Sequence, residues 1–123
     1  MAEYTSAKVN AGKGGWGGPL TITPTEEKKY VASVTGGGIH PVAERIAEVT
    51  GGEAVDGFKG GVKFNQMACA VIDCGGTARI GVYPMKGVPT VDIHGTTPAG
   101  PLAAHITEEN FVSGVKPDDV EPA

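Results

Sequence analysis

The segment that most limits how this chain can fold runs from Met67 to Asp73, where every residue before the final aspartate is apolar. A strand with one wet face alternates between apolar and polar residues, whereas a strand covered on both faces does not. The pattern therefore predicts a central strand that is covered on two sides. A strand of that kind needs further strands beside it and other elements above and below it.

This strand runs directly into Cys74, which is followed by Gly75, Gly76, Thr77 and Arg79. A cysteine thiolate is a nucleophile, and consecutive glycines let the backbone turn so that several N–H groups point at one anion. A hydroxyl and a guanidinium can then bind phosphate oxygens. These residue types predict either a cysteine that accepts a phosphoryl group or a buried cysteine before a glycine turn with Arg79 in solvent.

Two other functions are open on the residue types alone. A cysteine-dependent phosphatase would have five residues between cysteine and arginine and a helix after the loop, whereas here four residues separate Cys74 from Arg79 and a strand is predicted next. A non-enzymatic module that binds a small anion is the second alternative. Cys69 lies in the apolar strand and is interpreted as a core residue, too far along the strand from Cys74 for a disulfide.

A second candidate anion-binding loop contains Gly36, Gly37, Gly38 and His40, before a helix predicted from Pro41. Free N–H groups and the helix dipole can hold an anion there, and the alternative is a surface histidine. The sequence Lys13–Gly18 lacks the spacing of a nucleotide loop and is interpreted as a turn that packs Trp16.

Asp92 and His94 are interpreted as outward neighbours on one strand. They form either an acid–base pair or a solvated face, and the three histidines and two cysteines lack zinc-ligand spacing. No cofactor motif is recognised, so neither a metal nor a cofactor is predicted.

The composition bounds the function further. A chain of 123 residues suits one domain, and its 20 glycines indicate tight turns and close backbone contacts. The net charge of −4 and the absence of a basic stripe argue against nucleic acid. No apolar run reaches the roughly 18 residues of a membrane span, and no signal peptide is recognised, so we expect a soluble cytoplasmic protein.

The predicted fold is α/β (α+β), a compact single domain with a mixed or antiparallel sheet of about four or five strands and two short helices. A tight turn at Gly75–Gly76 would join 67–73 and 77–83 as a hairpin with Cys74 at its tip, and this favours the antiparallel form. The predicted strands also include 20–22, 30–35 and 90–94, and the predicted helices are 41–50 and 98–106. Residues 111–115 are expected to form a last strand or a docked tail.

Four blocks of unusual sequence resemble one known family. They are Gly14-Gly15-Trp16-Gly17-Gly18-Pro19-Leu20, Val55-Asp56-Gly57-Phe58-Lys59, Asp73-Cys74-Gly75-Gly76-Thr77, and Gly100-Pro101-Leu102 leading to Val112-Ser113-Gly114-Val115. In this order they resemble the enzyme IIB domain of the sorbitol (glucitol) permease of the bacterial phosphoenolpyruvate-dependent sugar phosphotransferase system. In that family a second cysteine can follow the arginine, where this chain has Ile80.

The resemblance implies a phosphocysteine relay. Cys74 would accept phosphate from a phosphohistidine of the IIA protein and pass it to sorbitol held by the membrane IIC part, with Gly75, Gly76, Thr77 and Arg79 binding the phosphate. The resemblance extends from about Gly14 to Val115, and the domain is expected over residues 1–115. The acidic, proline-containing residues 116–123 are interpreted as a linker or tail. The expected location is the cytoplasm, at the inner face of the membrane when the domain is joined to or docked on IIC.

Overall fold

The computed structural model describes residues 4–34, 38–57, 63–73, 83, 86–95, 106–107 and 110–123. The described part contains one α-helix and eight strands in two sheets. In chain order the elements are β1 Ala7–Val9, β2 Leu20–Ile22, β3 Tyr30–Val34, α1 Pro41–Thr50, β4 Glu53–Asp56, β5 Met67–Ile72, β6 Thr90–Asp92, β7 Phe111–Val112 and β8 Val120–Pro122.

The larger sheet has five parallel strands in the order β4-β3-β5-β6-β7, with β5 in the middle. All six residues of β5 are buried. Successive side chains enter two different cores, since Cys69 and Val71 belong to one apolar cluster and Ala70 and Ile72 to the other. The predicted central strand, covered on two sides, is therefore confirmed.

The hairpin predicted for 67–73 and 77–83 is wrong. Ala70, Val71 and Ile72 pair with β3 on one side and with β6 on the other, both in parallel. A third strand has no hydrogen-bonding edge left at these residues. The glycine turn was interpreted as a hairpin because pairing partners distant in sequence leave no local signal. Of the predicted strand 77–83, only Tyr83 is among the described residues.

The helix was predicted with the bounds it has. Pro41 occupies the first turn, and Gly51 ends the helix with φ +81°, a left-handed conformation that glycine adopts without a steric penalty. Val42 and Ile46 are buried and Val49 is partly buried against the same cluster, so these three residues form the apolar face by which the helix contacts the core. The helix packs against β3 and β4 and against β1 and β8 of the second sheet.

The second sheet is antiparallel, in the order β2-β1-β8. Leu20–Ile22 is an edge strand there, as predicted. Its third strand, Val120–Pro122, belongs to the expected acidic tail, which in the structure is a folded part of the domain. A short 3-10 turn over Pro117–Asp119 leads into the strand, and Val120 is buried in the core shared with α1. A single buried valine among acidic residues gave too weak an apolar pattern to predict a strand.

The glycine-rich segment around Trp16 lies along β7. Gly17 forms an antiparallel bridge with Val112, and the Trp16 carbonyl accepts a hydrogen bond from the Ser113 N–H at 2.9 Å. A side chain at Gly15 would collide with the Ser113 carbonyl oxygen. The Trp16 ring packs against Phe111, with ring centroids 6.2 Å apart. The predicted role of this segment, a turn that packs the indole on the domain, is confirmed.

The predicted α/β (α+β) class, with parallel and antiparallel strands in one small domain, is thus confirmed. The second predicted helix, 98–106, lies outside the described residues except for Ile106. Among the helices that the structure describes, none is both long and apolar enough to traverse a bilayer.

Candidate functional site

The order of the strands identifies the edge of the sheet where a ligand site is expected. The chain runs from β3 outward to β4, returns to β5 beside β3, and then continues in the opposite direction to β6 and β7. In open parallel sheets, ligands bind outside the carboxyl ends of the strands at the point where this direction reverses. Here that point lies between the ends of β3 and β5, where Val34 pairs with Ile72.

Both loops singled out in the sequence begin at this point. Gly36 and Gly37 follow β3, and Cys74, Gly75, Gly76, Thr77 and Arg79 follow β5; all seven lie outside the described residues. Their predicted roles therefore stay predictions. What the structure describes is the frame around them, which consists of Val34, Asp73, the segment from Gly38 to the start of α1, and the end of β6.

His40 caps the helix that follows the first loop. Its Nδ1 accepts a hydrogen bond from the Val42 N–H at 3.1 Å, which satisfies one of the free donors at the helix start. The imidazole therefore acts as the N-cap of the helix, a role that asparagine and serine side chains often have. Because one N–H of the predicted anion site already has a protein acceptor, this finding favours the structural role of His40 over an anion-binding one.

The side chain of Ser33, in β3, connects the strand to the same loop through two hydrogen bonds. Ser33 was not identified from the sequence. Its buried hydroxyl donates to the Gly38 carbonyl at 3.1 Å and accepts from the His40 N–H at 2.9 Å. Gly38 has φ +87°, a conformation that costs L side chains about 1–2 kcal/mol. The only signal in the sequence was a serine inside the otherwise apolar strand 30–34.

The predicted pairing of Asp92 with His94 on an outer face is wrong for the aspartate. Asp92 is fully buried, because β6 lies between β5 and β7 and is covered on both faces. Its Oδ1 accepts the backbone N–H of His94 at 2.9 Å. The His94 side chain is exposed, as predicted, but its Nδ1 lies 3.8 Å from Oδ1 of Asp73 at the end of β5.

Cys69 is a free, fully buried cysteine, as predicted. Burial raises the pKa of its thiol from 9.0 to about 12, because a thiolate loses its hydration in the apolar core. At neutral pH this sulfur is protonated and shielded, so it cannot serve as a nucleophile. No cluster of three or more metal-binding side chains occurs among the residues with a described placement.

Comparison with known proteins gives a consistent picture. Residues 6–123 match the family described as "Sorbitol phosphotransferase enzyme II N-terminus". A relative from Clostridium beijerinckii, named "PTS system glucitol/sorbitol-specific EIIB component", is 46% identical over 116 residues, which cover 94% of this chain and 34% of the relative. The chain thus spans about a third of the length of that curated relative.

No solved structure matches the chain. The family match nevertheless extends over both sheets, the helix and the segments that frame the carboxyl edge of β3 and β5. The resemblance inferred from the four sequence blocks is therefore confirmed. The chain belongs to the sorbitol phosphotransferase enzyme II N-terminal family.

Proposed function

We propose that this chain is the phosphocarrier component, EIIB, of a sorbitol-type phosphotransferase system, and that Cys74 carries the phosphoryl group. The family match over residues 6–123 is the observation that carries this proposal. In the proposed relay a IIA protein with a phosphohistidine is the donor, and sorbitol held by a membrane IIC part is the final acceptor. The domain would act in the cytoplasm at the inner face of the membrane, joined to or docked on IIC.

Two properties of the described residues support Cys74 as the nucleophile. Asp73, its neighbour in the chain, lies at the carboxyl end of the central strand, beside the point where the strand order reverses. The chain has two cysteines, and the other, Cys69, is buried and has a pKa of about 12. If a cysteine accepts the phosphoryl group in this protein, Cys74 is the better candidate, because the buried Cys69 thiol stays protonated at neutral pH.

The transfer to Cys74 needs little covalent chemistry from other residues. The thiolate sulfur attacks phosphorus and forms the S–P bond while the N–P bond of the donor histidine breaks. The donor nitrogen keeps that electron pair, so a donor ring protonated on its second nitrogen leaves as neutral imidazole. In the second step the sugar oxygen attacks phosphorus, its proton goes to solvent or a base, and the thiolate is regenerated.

The proposed work of the neighbouring residues is to hold the three outer phosphate oxygens. Gly75 and Gly76 would contribute backbone N–H groups, Thr77 a hydroxyl and Arg79 a two-pronged guanidinium. The candidate second anion loop still consists of Gly36, Gly37, Gly38 and His40. The helix-capping role of His40 weakens the case for anion binding there, because its Nδ1 already accepts the Val42 N–H.

A phosphotransfer assay with labelled IIA tests this proposal. We expect the wild-type chain and Cys69→Ser to take up about one phosphate each, and Cys74→Ser to take up none while remaining folded. Arg79→Lys keeps the charge but loses the bidentate contact, so transfer should slow by about ten- to a hundredfold. Stoichiometric label on Cys74→Ser would show that another residue is the acceptor, and release of free phosphate without transfer to a sugar would favour the phosphatase alternative.

A further inference from the structure

The Asp73–His94 pair is the arrangement at the carboxyl edge that the proposed function has not used. Asp73 directly follows β5, and His94 lies two residues after the end of the neighbouring strand β6. Nδ1 of His94 and Oδ1 of Asp73 are 3.8 Å apart, and the two side chains are 56% and 48% exposed. This separation allows an ion pair when the imidazole is protonated and is too long for a direct hydrogen bond.

The backbone of His94 is held on both sides. Its N–H donates to Oδ1 of the buried Asp92 at 2.9 Å, and its carbonyl accepts the Gly114 N–H at 3.1 Å. The Asp92 carbonyl in turn accepts the Val115 N–H. Asp92 therefore orients the backbone of His94, while the carboxylate that faces the imidazole is that of Asp73.

The charges near the imidazole come from several elements. Asp73 belongs to the end of β5, and Asp92 to β6 itself. The segment at Gly114 contributes backbone, and so does the turn at Gly14, whose carbonyl lies close to Gly95. Lys13 is the charged residue beside that turn in the chain. The half-exposed Asp73 thus gives the edge a negative charge that a protonated imidazole would offset.

Asp73 poses an electrostatic problem for its neighbour in the chain. Consecutive Cα atoms lie about 3.8 Å apart, so the Asp73 carboxylate and the Cys74 thiol belong to side chains that leave the backbone next to each other. A carboxylate so placed disfavours a thiolate and repels a phosphocysteine, whose charge is more negative still. An imidazolium beside the carboxylate cancels most of that repulsion.

We propose that His94 is a positioning residue of the phosphoryl-transfer site, which acts by offsetting the charge of Asp73 next to Cys74. This inference rests on the proposed role of Cys74. Histidine ordinarily changes its charge between pH 5 and 8, so the proposal makes the reactivity of Cys74 depend on the protonation of a residue on another strand. The dependence should vanish when either member of the pair is removed.

The test measures alkylation of Cys74 by iodoacetamide from pH 5 to 10 in the unphosphorylated chain, with the modified peptide identified by mass. Cys69 does not interfere, since it is buried and has a pKa of about 12. For His94→Gln we expect the alkylation rate at pH 6, where an ordinary imidazole is largely protonated, to fall by about threefold. At pH 9, where an ordinary imidazole is neutral, the rate should stay within about 1.5-fold of wild type.

Three further variants separate this role from a structural one. His94→Lys keeps a positive charge and should leave the rate at pH 6 within about 1.5-fold of wild type. In an Asp73→Asn background, His94→Gln should lower the rate at pH 6 by less than about 1.5-fold, because no carboxylate then holds the exposed imidazole at this place. Glu53→Gln removes an exposed carboxylate from the opposite end of the sheet and should leave the rate at pH 6 unchanged.

The proposal is overturned if His94→Gln leaves the rate at pH 6 unchanged, or if the rate falls as far without Asp73 as with it. The assay contains no phosphoryl donor, so its result is independent of the label-transfer assay. A chain that takes up label on Cys74 but shows no His94 effect would contradict this inference alone. A chain that shows the His94 effect but takes up no label would contradict the proposed function instead.

Discussion

At the scale of single residues, Cys69 shows how burial in the central strand determines the chemistry of a thiol. Cys69 and Val71 point into the core under α1, and desolvation there holds the thiol neutral. Cys74 comes two residues after the strand ends and directly follows Asp73, whose side chain is 48% exposed. The apolar pattern of 67–73 was enough to assign Cys69 to the core, because both faces of the strand were apolar.

The raised pKa of Cys69 predicts a loss of stability at high pH. In the unfolded chain the thiol ionises near pH 9, whereas in the folded chain it stays protonated to about pH 12. The unfolded state therefore binds fewer protons in that window, and the free energy of unfolding falls as the pH rises from 9 towards 12. The slope from this thiol approaches about 1.4 kcal/mol per pH unit.

Urea unfolding of the wild type and Cys69→Ala at pH 8, 9 and 10 measures how much the Cys69 thiol contributes to the pH dependence of the free energy of unfolding. The alanine variant should start from a lower stability and lose less of it between pH 9 and 10. Cys74→Ala serves as the matched control and should keep the wild-type slope. Equal slopes in the wild type and Cys69→Ala would mean that the folded protein tolerates the thiolate.

At the scale of elements, α1 shows a helix whose signals were all local. Pro41 at its start, the i, i+3 and i+4 spacing of its apolar residues and Gly51 at its end lie within eleven residues. The imidazole of His40 adds a cap that was not recognised in the sequence, where His40 was considered as a phosphate ligand or a surface residue. A residue beside a glycine loop can thus be explained by helix stability as well as by binding.

Substitution of His40 separates these two roles. His40→Ala removes the acceptor for the Val42 N–H and should lower the free energy of unfolding by about 1 kcal/mol. His40→Asn supplies another cap and should stay within about 0.5 kcal/mol of wild type. Chemical denaturation gives the stabilities, and Glu44→Ala on the exposed face of the same helix is the control. If His40→Asn is stable but accepts phosphate slowly, the imidazole has a role in binding after all.

At the scale of the whole molecule, the C-terminal strand joins the two sheets into one domain. β8 pairs with β1 near the other end of the chain, and Val120 lies in the cluster that also contains Val42, Ile46 and Val71. The helix is therefore covered by strands from both ends of the sequence. A domain that ended at Val115 would leave one side of β1 unpaired and part of this core exposed.

Truncation of the Val120 side chain tests this arrangement. Val120 is 2% exposed, so Val120→Ala should lower the free energy of unfolding by about 1–3 kcal/mol through lost burial and a small cavity. Glu121→Ala, on the exposed neighbour in the same strand, should change it by less than about 0.5 kcal/mol. Equal stabilities of the two variants would return residues 116–123 to the role of a linker.

The elements whose signals are local could be predicted from the order of the amino acids. The sequence predicted α1, the strands at 20–22 and 30–35, the buried strand at 67–73 and the core position of Cys69, because periodicity, turn residues and apolar runs act over a few neighbouring residues. The family resemblance came from unusual blocks of sequence in a fixed order. The candidate nucleophile followed from the residue types next to the buried strand.

The way in which these elements combine depends on contacts between distant parts of the chain. The parallel order β4-β3-β5-β6-β7, the burial of Asp92, the Asp73–His94 pair and the pairing of β8 with β1 all join residues that are distant in the sequence. Strand pairing is made by backbone groups that every residue carries, so its partners are chosen by packing of the whole chain and not by local composition. The reversal of strand order at β3 and β5, which brings the ends of two glycine loops to one edge, is a property of that packing.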